Sequence, residues 1–350
     1  MPYSKQISQL RESIDAAVTF LLEARTSQGW WLDFDLAPGP SDEWVTAYVG
    51  TMLATVPDSR LSEAVSHAWE LLQSRCQRPT GAWGYNYFTP GDADSIGWAL
   101  QLAEAVGASN SERAQQAKAA LATHQRPNGG MATYATDEPI RAFIAASPHQ
   151  TFEGWCGSQT CVSAAIAALP EYRFLLHDYL KATQTSEGNW QCYWWSDHEY
   201  VTALAAEALA ACGQVAEQFC IEQAVAWGVK RLSPQGFVAT QDHPDGSPFA
   251  TAWCLRLLLL DKADTEVQAA IAAATHWLLG QQHLKGAWIS SARLRVPYPN
   301  DRNPNQFTQW IYHGKIQGSL VFDQHSTFTT ATVINSLQKA AEMFLIAAYR

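Results

Sequence analysis

The sequence predicts an all-α protein, an (α/α)6 barrel of six inner and six outer helices, with residues 1–350 as a single domain. Three observations predict it. A glycine followed by an aromatic or apolar cluster recurs roughly every 50 residues, at Gly29, Gly81, Gly129, Gly188, Gly236 and Gly286. Each loop follows a helix-like stretch that carries most of the charge, such as "SRLSEAVSHAWELLQSRCQ" or "DTEVQAAIAAATHWLLGQQ". Each loop then leads into a more apolar helix rich in small residues. A helix apolar all round must be buried and an amphipathic one covers it, so the alternation sorts the helices into an inner and an outer layer. A linear helical solenoid is the alternative; the polarity split favours closure.

The inner helices read, in order, as "SDEWVTAYVGTML", "DADSIGWALQLAEAV", "GSQTCVSAAIAAL", "SDHEYVTALAAEALAA", "SPFATAWCLRLLLL" and "STFTTATVINSLQKAA". Each opens on a residue able to cap backbone N–H groups: Ser41 or Asp42, Asp92 to Ser95, Ser158, Ser196 or Asp197, Ser247, and Ser326. Two segments break the period, residues 132–156 and residues 289–325. Both are rich in aromatics, and the second carries Arg293, Arg295, Arg302, His313 and Lys315. Long connections of this kind are usually functional, and these two are expected to close one end of the barrel as lids; ordinary surface excursions are the alternative.

Composition narrows the function. Hydrophobic residues make up 47% of the chain and charged ones 16%, with 15 Trp, 12 Tyr and 13 Phe, enough to fill a core or to line a large apolar pocket. A net charge of −10 argues against a nucleic-acid partner, which needs a basic face. The seven cysteines (76, 156, 161, 192, 212, 220 and 254) form no CxxC pair and no signal-like N-terminus is seen, so they read as reduced thiols in a cytoplasmic protein. No apolar stretch is long enough for a transmembrane helix, which leaves peripheral membrane contact open.

The chemistry concentrates in "PGDADSIGWALQLAEAVG". One of Asp92, Asp94 and Ser95 is accounted for as a helix cap. A second carboxylate is redundant for capping. Two carboxylates in a low-dielectric pocket raise one pKa and leave one acid protonated at neutral pH, as a general acid requires, provided burial and pairing outweigh the helix dipole.

On these residues the chain resembles a known family. The glycine–aromatic loops resemble the QW-type repeats of the terpenoid cyclase and prenyltransferase barrels, over nearly the whole chain. "GAWGYNYFTPGDADSIGWAL" is similar to the segment of class II terpene cyclases that ends in their D-x-D-D acid motif. The one-domain length is most similar to the single-domain class II meroterpenoid cyclases of cyanobacteria, which act on polyprenylated aromatic acids. The resemblance implies that Asp94 protonates an alkene or epoxide and starts a carbocation cascade, with Asp92 orienting and tuning it. Ser95 stands where the motif has its last Asp and is expected to hydrogen-bond the carboxyl group. Ala165 falls where related cyclases place a supporting histidine. No cofactor is implied, Mg2+ being at most a modulator, and no metal ligands are assigned.

A carbocation without a counter-charge needs a dry pocket with aromatic faces, each worth about 0.5–2 kcal/mol of cation–π attraction. Candidates near the mouth are Trp44, Trp155, Tyr193, Trp194, Trp195, Tyr200, Phe249, Trp310 and Phe328. Arg293 and Arg295 are the candidates for an anionic head group, by their bidentate geometry. His325, Asp323 and Glu153 are candidates for removing the last proton.

Competing readings share the barrel. A protein prenyltransferase β-subunit would need zinc, for which Cys254, Asp245, His243 and His325 are available without a D-x-C pairing. A thioester-type binding module would use "CGSQ", Cys156 to Gln159, and an (α/α)6 glycosidase would use Asp42, Asp94 and Asp197.

Overall fold

The computed structural model describes residues 2–75 and 82–348. Gly81 and Cys76 lie outside the described residues. The predicted inner helices form as α2 (Glu43–Leu53), α4 (Ala93–Ala105), α7 (Thr160–Ile166), α9 (His198–Cys212), α11 (Pro248–Leu258) and α13 (Thr327–Ala348). Around them stand α1 (Pro2–Glu23), α3 (Ser59–Arg75), α5 (Glu112–Ala122), α8 (Pro170–Thr183), α10 (Gln218–Arg231) and α12 (Thr265–Gly280). Each inner helix packs on the next, and α13 packs back on α2, so the inner ring closes and the solenoid alternative fails. Burial follows the polarity split. Every residue of α11 is buried, whereas α3 buries Leu61, Ala64, Val65, Ala68, Trp69 and Leu72, one face at helical spacing.

The repeat has a physical content that the sequence pattern only hints at. The indole N–H of the loop tryptophan donates to a carbonyl near the end of the preceding outer helix: Trp31 to Leu21, Trp83 to Leu72, Trp190 to Leu180 and Trp288 to Leu278, at 2.7–2.8 Å. These carbonyls belong to the last turn or so, where helices run short of partners. From the other side, a hydroxyl of the following inner helix accepts a loop N–H: Thr46 from Trp31, Ser163 from Met131, Thr202 from Trp190, Thr251 from Val238 and Thr330 from Trp288. The loops of Trp31, Trp190 and Trp288 are therefore stapled to an outer and an inner helix, and the other three to one of the two. The loop glycine is required on two counts, shown at Gly286. There φ is +86°, and an added Cβ would meet the Ala16 carbonyl oxygen of α1 at 2.2 Å.

The two aperiodic segments carry the departures from a purely helical reading. Residues 132–156 hold a short helix, α6 (Glu138–Phe143). Residues 289–325 form a small sheet from β3 (Arg293–Val296), β4 (Ile311–Tyr312) and β5 (Ser319–Phe322), in the order β3–β5–β4, with β3 antiparallel and β4 parallel to β5. Earlier in the chain, β1 (Asp33–Leu36) and β2 (Gly39–Ser41) pair as a hairpin.

The caps depart from expectation at α7, α9 and α13; at α9 Asp197 holds the N-cap position without a side-chain cap and pairs with Arg293 instead. Gln159, not Ser158, precedes α7 and makes no side-chain cap. At α13 the cap comes from the other end of the sequence rather than from Ser326. One oxygen of the Asp33 carboxylate accepts N–H bonds from Thr327 and Phe328 (2.9 and 3.1 Å), and the other accepts from His325 and Phe34 (both 3.0 Å). Asp323 takes the N–H groups of Thr329 and Ala292. Two buried carboxylates thus join the hairpin, the sheet and the last inner helix where the ring closes.

The loop geometry makes a graded prediction. Gly286→Ala meets both a left-handed φ and a backbone clash, so its loss of stability should exceed several-fold that of Gly107→Ala, where φ is +73° with open space around the Cβ and the cost is about 1 kcal/mol. Urea titration of both variants checks this; equal losses would mean that the loop does not need its close approach to α1.

Candidate active site

Asp92 is the N-cap of α4: its carboxylate accepts the Ser95 N–H at 2.8 Å and, through its other oxygen, the Ser95 O–H at 2.8 Å. This corrects one expectation. The Ser95 hydroxyl anchors the capping carboxylate and not Asp94. The sequence D-x-D-S divides the work, with Asp92 and Ser95 closing the helix end and Asp94, in the first turn, turned toward a cavity.

That cavity has a volume of about 620 Å³. Its floor includes Asp94, Asp92 and Ser95, and its walls include Trp44, Tyr85, Trp155, Trp194 and Trp195. Both aperiodic segments contribute to its upper part, through Thr133, Tyr134, Ile140, Phe143 and Ile144 on one side and Leu294, Val296, Tyr298, Lys315, Ile316 and Gln317 on the other. The Asp94 carboxyl is held well above the usual carboxylate range. Burial is the main cause, followed by the negative charge of Asp92 and by Cys161; the indole N–H of Trp44 acts the other way by favouring the anion. A carboxyl in this state holds its proton more tightly than an ordinary carboxylic acid.

Of the aromatics expected from sequence, the structure brings Trp44, Trp155, Trp194 and Trp195 to the cavity wall. Tyr200, Phe249 and Phe328 are buried behind it. Phe328 stacks on Trp195 at 5.2 Å and on Tyr48 at 3.7 Å, and Phe249 lies 5.2 Å from Trp195, so they support the wall and do not form it. Tyr193 also lies outside the lining and donates its hydroxyl to the Asp301 carbonyl at 2.8 Å. Trp310 sits on the sheet segment against Phe307, away from the cavity.

The arginine expectation is corrected. Arg293 is buried and ion-paired with Asp242 and Asp197. Arg295 donates to the Tyr193 and Cys192 carbonyls. Both guanidinium groups are spent on tying the sheet to the loop before α9, because a buried cation without partners is too costly to leave unpaired. The cation that lines the cavity is Lys315, half-exposed and paired with Asp35. The bases considered from sequence are elsewhere too. None of Asp323, His325 and Glu153 lines the cavity: Asp323 secures α13, and Glu153 pairs with Arg302 at 2.7 Å on the surface. Cys161 is the group that sequence reasoning missed. It occupies the first turn of α7, next to α4, and the cue was its place one helix on from Asp94 in the ring.

The competing sites do not assemble. Gln159 of "CGSQ" has its amide engaged by Thr133 and Gly154, and burial pushes the Cys156 thiol up to about 11, away from a reactive thiolate. Asp42 pairs with Arg75 and Asp197 with Arg293, so the carboxylates of a sugar cleft do not converge on Asp94. Among the described residues no three His, Cys, Asp or Glu side chains cluster as metal ligands. No helix among them is long and apolar enough to cross a membrane.

A carboxyl with a raised pKa lining an aromatic-walled cavity, inside a closed α/α ring, fits one class: a terpene cyclase of the proton-initiated type. The sequence matches no protein-family model and no curated protein. By structure it is similar to the type II terpene cyclase MstE from Scytonema. One MstE structure, in complex with its substrate geranylgeranyl dihydroxybenzoate, is 64% identical, with a TM-score of 0.95 over 97% of this chain and 99% of that one. Another, in complex with its product merosterolic acid A, is 65% identical with the same TM-score and coverage. A protein from Actinoplanes is 36% identical, with a TM-score of 0.88 over 95% of this chain and 99% of that one. ent-Copalyl diphosphate synthase from Streptomyces platensis, 16% identical with a TM-score of 0.61 over 85% of this chain and 50% of that one, shares the fold. The chain belongs to the type II terpene cyclase family, whose members are intramolecular, isomerase-type enzymes.

The state of Asp94 carries a stability prediction. Its folded pKa lies above its unfolded value, so the stability associated with it is fully present below pH 4 or so and is lost as pH rises toward the folded pKa. Asp94→Asn removes that slope. The melting temperature of the variant should match the wild type at low pH and exceed it increasingly as pH rises. A variant less stable than wild type at neutral pH would identify Asp94 as a stabilising cap instead.

Proposed function

We propose that this chain cyclises a polyprenyl chain carried on an aromatic acid, with Asp94 as the proton donor. The observation that carries the reading is the half-buried Asp94 carboxyl facing the cavity, its pKa raised by desolvation and by the neighbouring Asp92 charge. The compounds named for MstE, geranylgeranyl dihydroxybenzoate and merosterolic acid A, give the substrate class. Asp94 adds its proton to the terminal alkene or epoxide, and a tertiary cation forms. The faces of Trp44, Trp195, Trp194 and Trp155 then stabilise positive charge as each ring closes and shifts it along the chain. Loss of a proton from the last cation gives a product isomeric with the substrate.

The apolar walls exclude water that would trap the cation, and the two aperiodic segments act as lids over the mouth. Lys315 is placed to hold the carboxylate of the head group there, the part first assigned to Arg293 and Arg295. No metal cofactor takes part on this reading, and Mg2+ acts at most as a modulator. The whole chain works as one catalytic domain in the cytoplasm. Phe143, Tyr298 and Ile316 line the cavity and are 40%, 42% and 60% exposed, which suits a mouth that takes its lipophilic substrate by peripheral contact with a membrane.

The test is incubation of chelator-treated protein with geranylgeranyl dihydroxybenzoate in D2O. The wild type should form a cyclised product carrying one deuterium on carbon, and Asp94→Asn should lose at least about 100-fold in rate. Lys315→Ala should raise KM more than it lowers kcat. Equal turnover by wild type and Asp94→Asn would place the acid elsewhere.

A further inference from the structure

A second cavity, of about 740 Å³, lies on the outer side of segment 132–156 and has no part in this scheme. Arg126, Cys156 and Tyr193 line it together with Asn128, Thr136 and Glu153, whose exposure opens it to solvent. The wall between the two cavities is one residue thick. Neighbouring residues of the same three backbone stretches face opposite ways. Tyr134 lines the Asp94 cavity and Ala135 the outer one, Trp155 the inner and Cys156 the outer, Trp194 the inner and Tyr193 the outer. Water on one side is thus a single layer of residues away from the cavity that must stay dry.

On the inner face of this wall the rings of Tyr134, Trp155 and Trp194 meet in turn, with centroids 5.9 and 5.7 Å apart, and the Trp194 indole N–H donates to Thr133 Oγ1 at 2.7 Å. Trp155 is tied across to the second aperiodic segment. Its backbone N–H donates to the Pro299 carbonyl and its indole N–H to the Pro297 carbonyl, both at 3.2 Å. Where the two ends of segment 132–156 meet, the Tyr134 N–H donates to the Trp155 carbonyl, a long bond at 3.2 Å. Arg126 reinforces that junction. From the loop that precedes the segment, its Nε donates to the Cys156 carbonyl at 2.7 Å, and its Nη2 donates to the Tyr134 and Ala135 carbonyls at 2.7 and 2.8 Å. One planar guanidinium thereby clamps both ends of the segment, a fork that the single ammonium of a lysine does not reproduce.

We propose that Arg126 is a positioning residue of the cyclisation, keeping this partition shut so that the last cation loses a proton and does not meet water. The proposal rests on the reading of the Asp94 cavity as the place of a carbocation cascade. Arg126 does not line that cavity and acts through Tyr134 and Trp155, which do. Without the clamp, the three carbonyls turn to water and the two ends of the segment part. Water from the outer cleft then reaches the cation. Its oxygen forms a bond to carbon, one of its protons leaves to solvent, and the product is the substrate plus one water. With the clamp in place a proton leaves from carbon, and the product stays isomeric with the substrate.

The experiment is turnover of geranylgeranyl dihydroxybenzoate in oxygen-18 water by wild type, Arg126→Ala, Arg126→Lys and Arg60→Ala, with the products separated and identified by mass spectrometry. Arg60, whose ion pairs with Asp15 and Asp58 lie on the outer surface, is the control for a general loss of stability. Wild type and Arg60→Ala should form only unlabelled, isomeric product. Arg126→Ala should put at least about a tenth of its turnover into a labelled product heavier by one water, and Arg126→Lys, which keeps the charge without the fork, a smaller labelled share. Unlabelled product alone from both Arg126 variants overturns the proposal, as does loss of turnover in both without labelled product, which would give Arg126 a role in folding only. Labelled product from wild type, or from Arg60→Ala in the same share as from Arg126→Ala, overturns it as well. No product of either kind from wild type would overturn the cyclase reading itself, an outcome separate from any result with the Arg126 variants.

Discussion

The site depends on one electrostatic constraint, the cost of ionising a half-buried carboxyl group set between an apolar cavity and a second carboxylate. Asp94 sits near a helix N-terminus, where the backbone dipole favours an anion, and beside the Trp44 indole N–H, which also does. Burial and the charge of Asp92 outweigh both. The arrangement works because Asp92 takes the capping role for itself. It receives the Ser95 N–H and O–H, so the helix end is satisfied without drawing Asp94 into it. Had the Ser95 hydroxyl turned to Asp94, it would have stabilised the anion and weakened the acid.

The scaffold serves that constraint. Closing the ring buries the first turns of the inner helices, and the stapled loops hold those helices at fixed height. Asp33 and Asp323 do the same work where the chain must meet its own beginning, by capping α13 with carboxylates from outside the helix. The sheet of residues 289–325 is fixed to the loop before α9 through Arg293 and Arg295, and that loop carries Trp194 and Trp195. Groups that look like ligand-binding cations are therefore what positions two of the aromatic walls.

Much of this was legible in the residues. Glycine–aromatic loops and alternating polarity are local patterns that the fold obeys, and they place all six inner helices. The candidate acid was legible because a second carboxylate exceeds what a cap needs, and the structure puts Asp94 on the cavity. The fate of the arginines was not. Arg293 meets Asp242 and Asp197, 51 and 96 positions away, and no local pattern announces such partners. Asp33 was hidden for the same reason, its partners at α13 being nearly 300 residues distant. Tyr200, Phe249 and Phe328 lie close to the expected place but one layer too deep. Helical spacing gives the face a side chain lies on, whereas its depth depends on the size of what stands in front, here Trp195.

The protonation state of Asp94 is the hinge of the mechanism and can be observed without turnover. Infrared difference spectroscopy at neutral pH, wild type against Asp94→Asn, isolates the carbonyl stretch of this one carboxyl. A band of a protonated carboxylic acid, present in the wild type and absent from the variant, is the predicted result. A difference spectrum showing only the loss of a carboxylate would contradict it, because an ionised Asp94 has no proton to give.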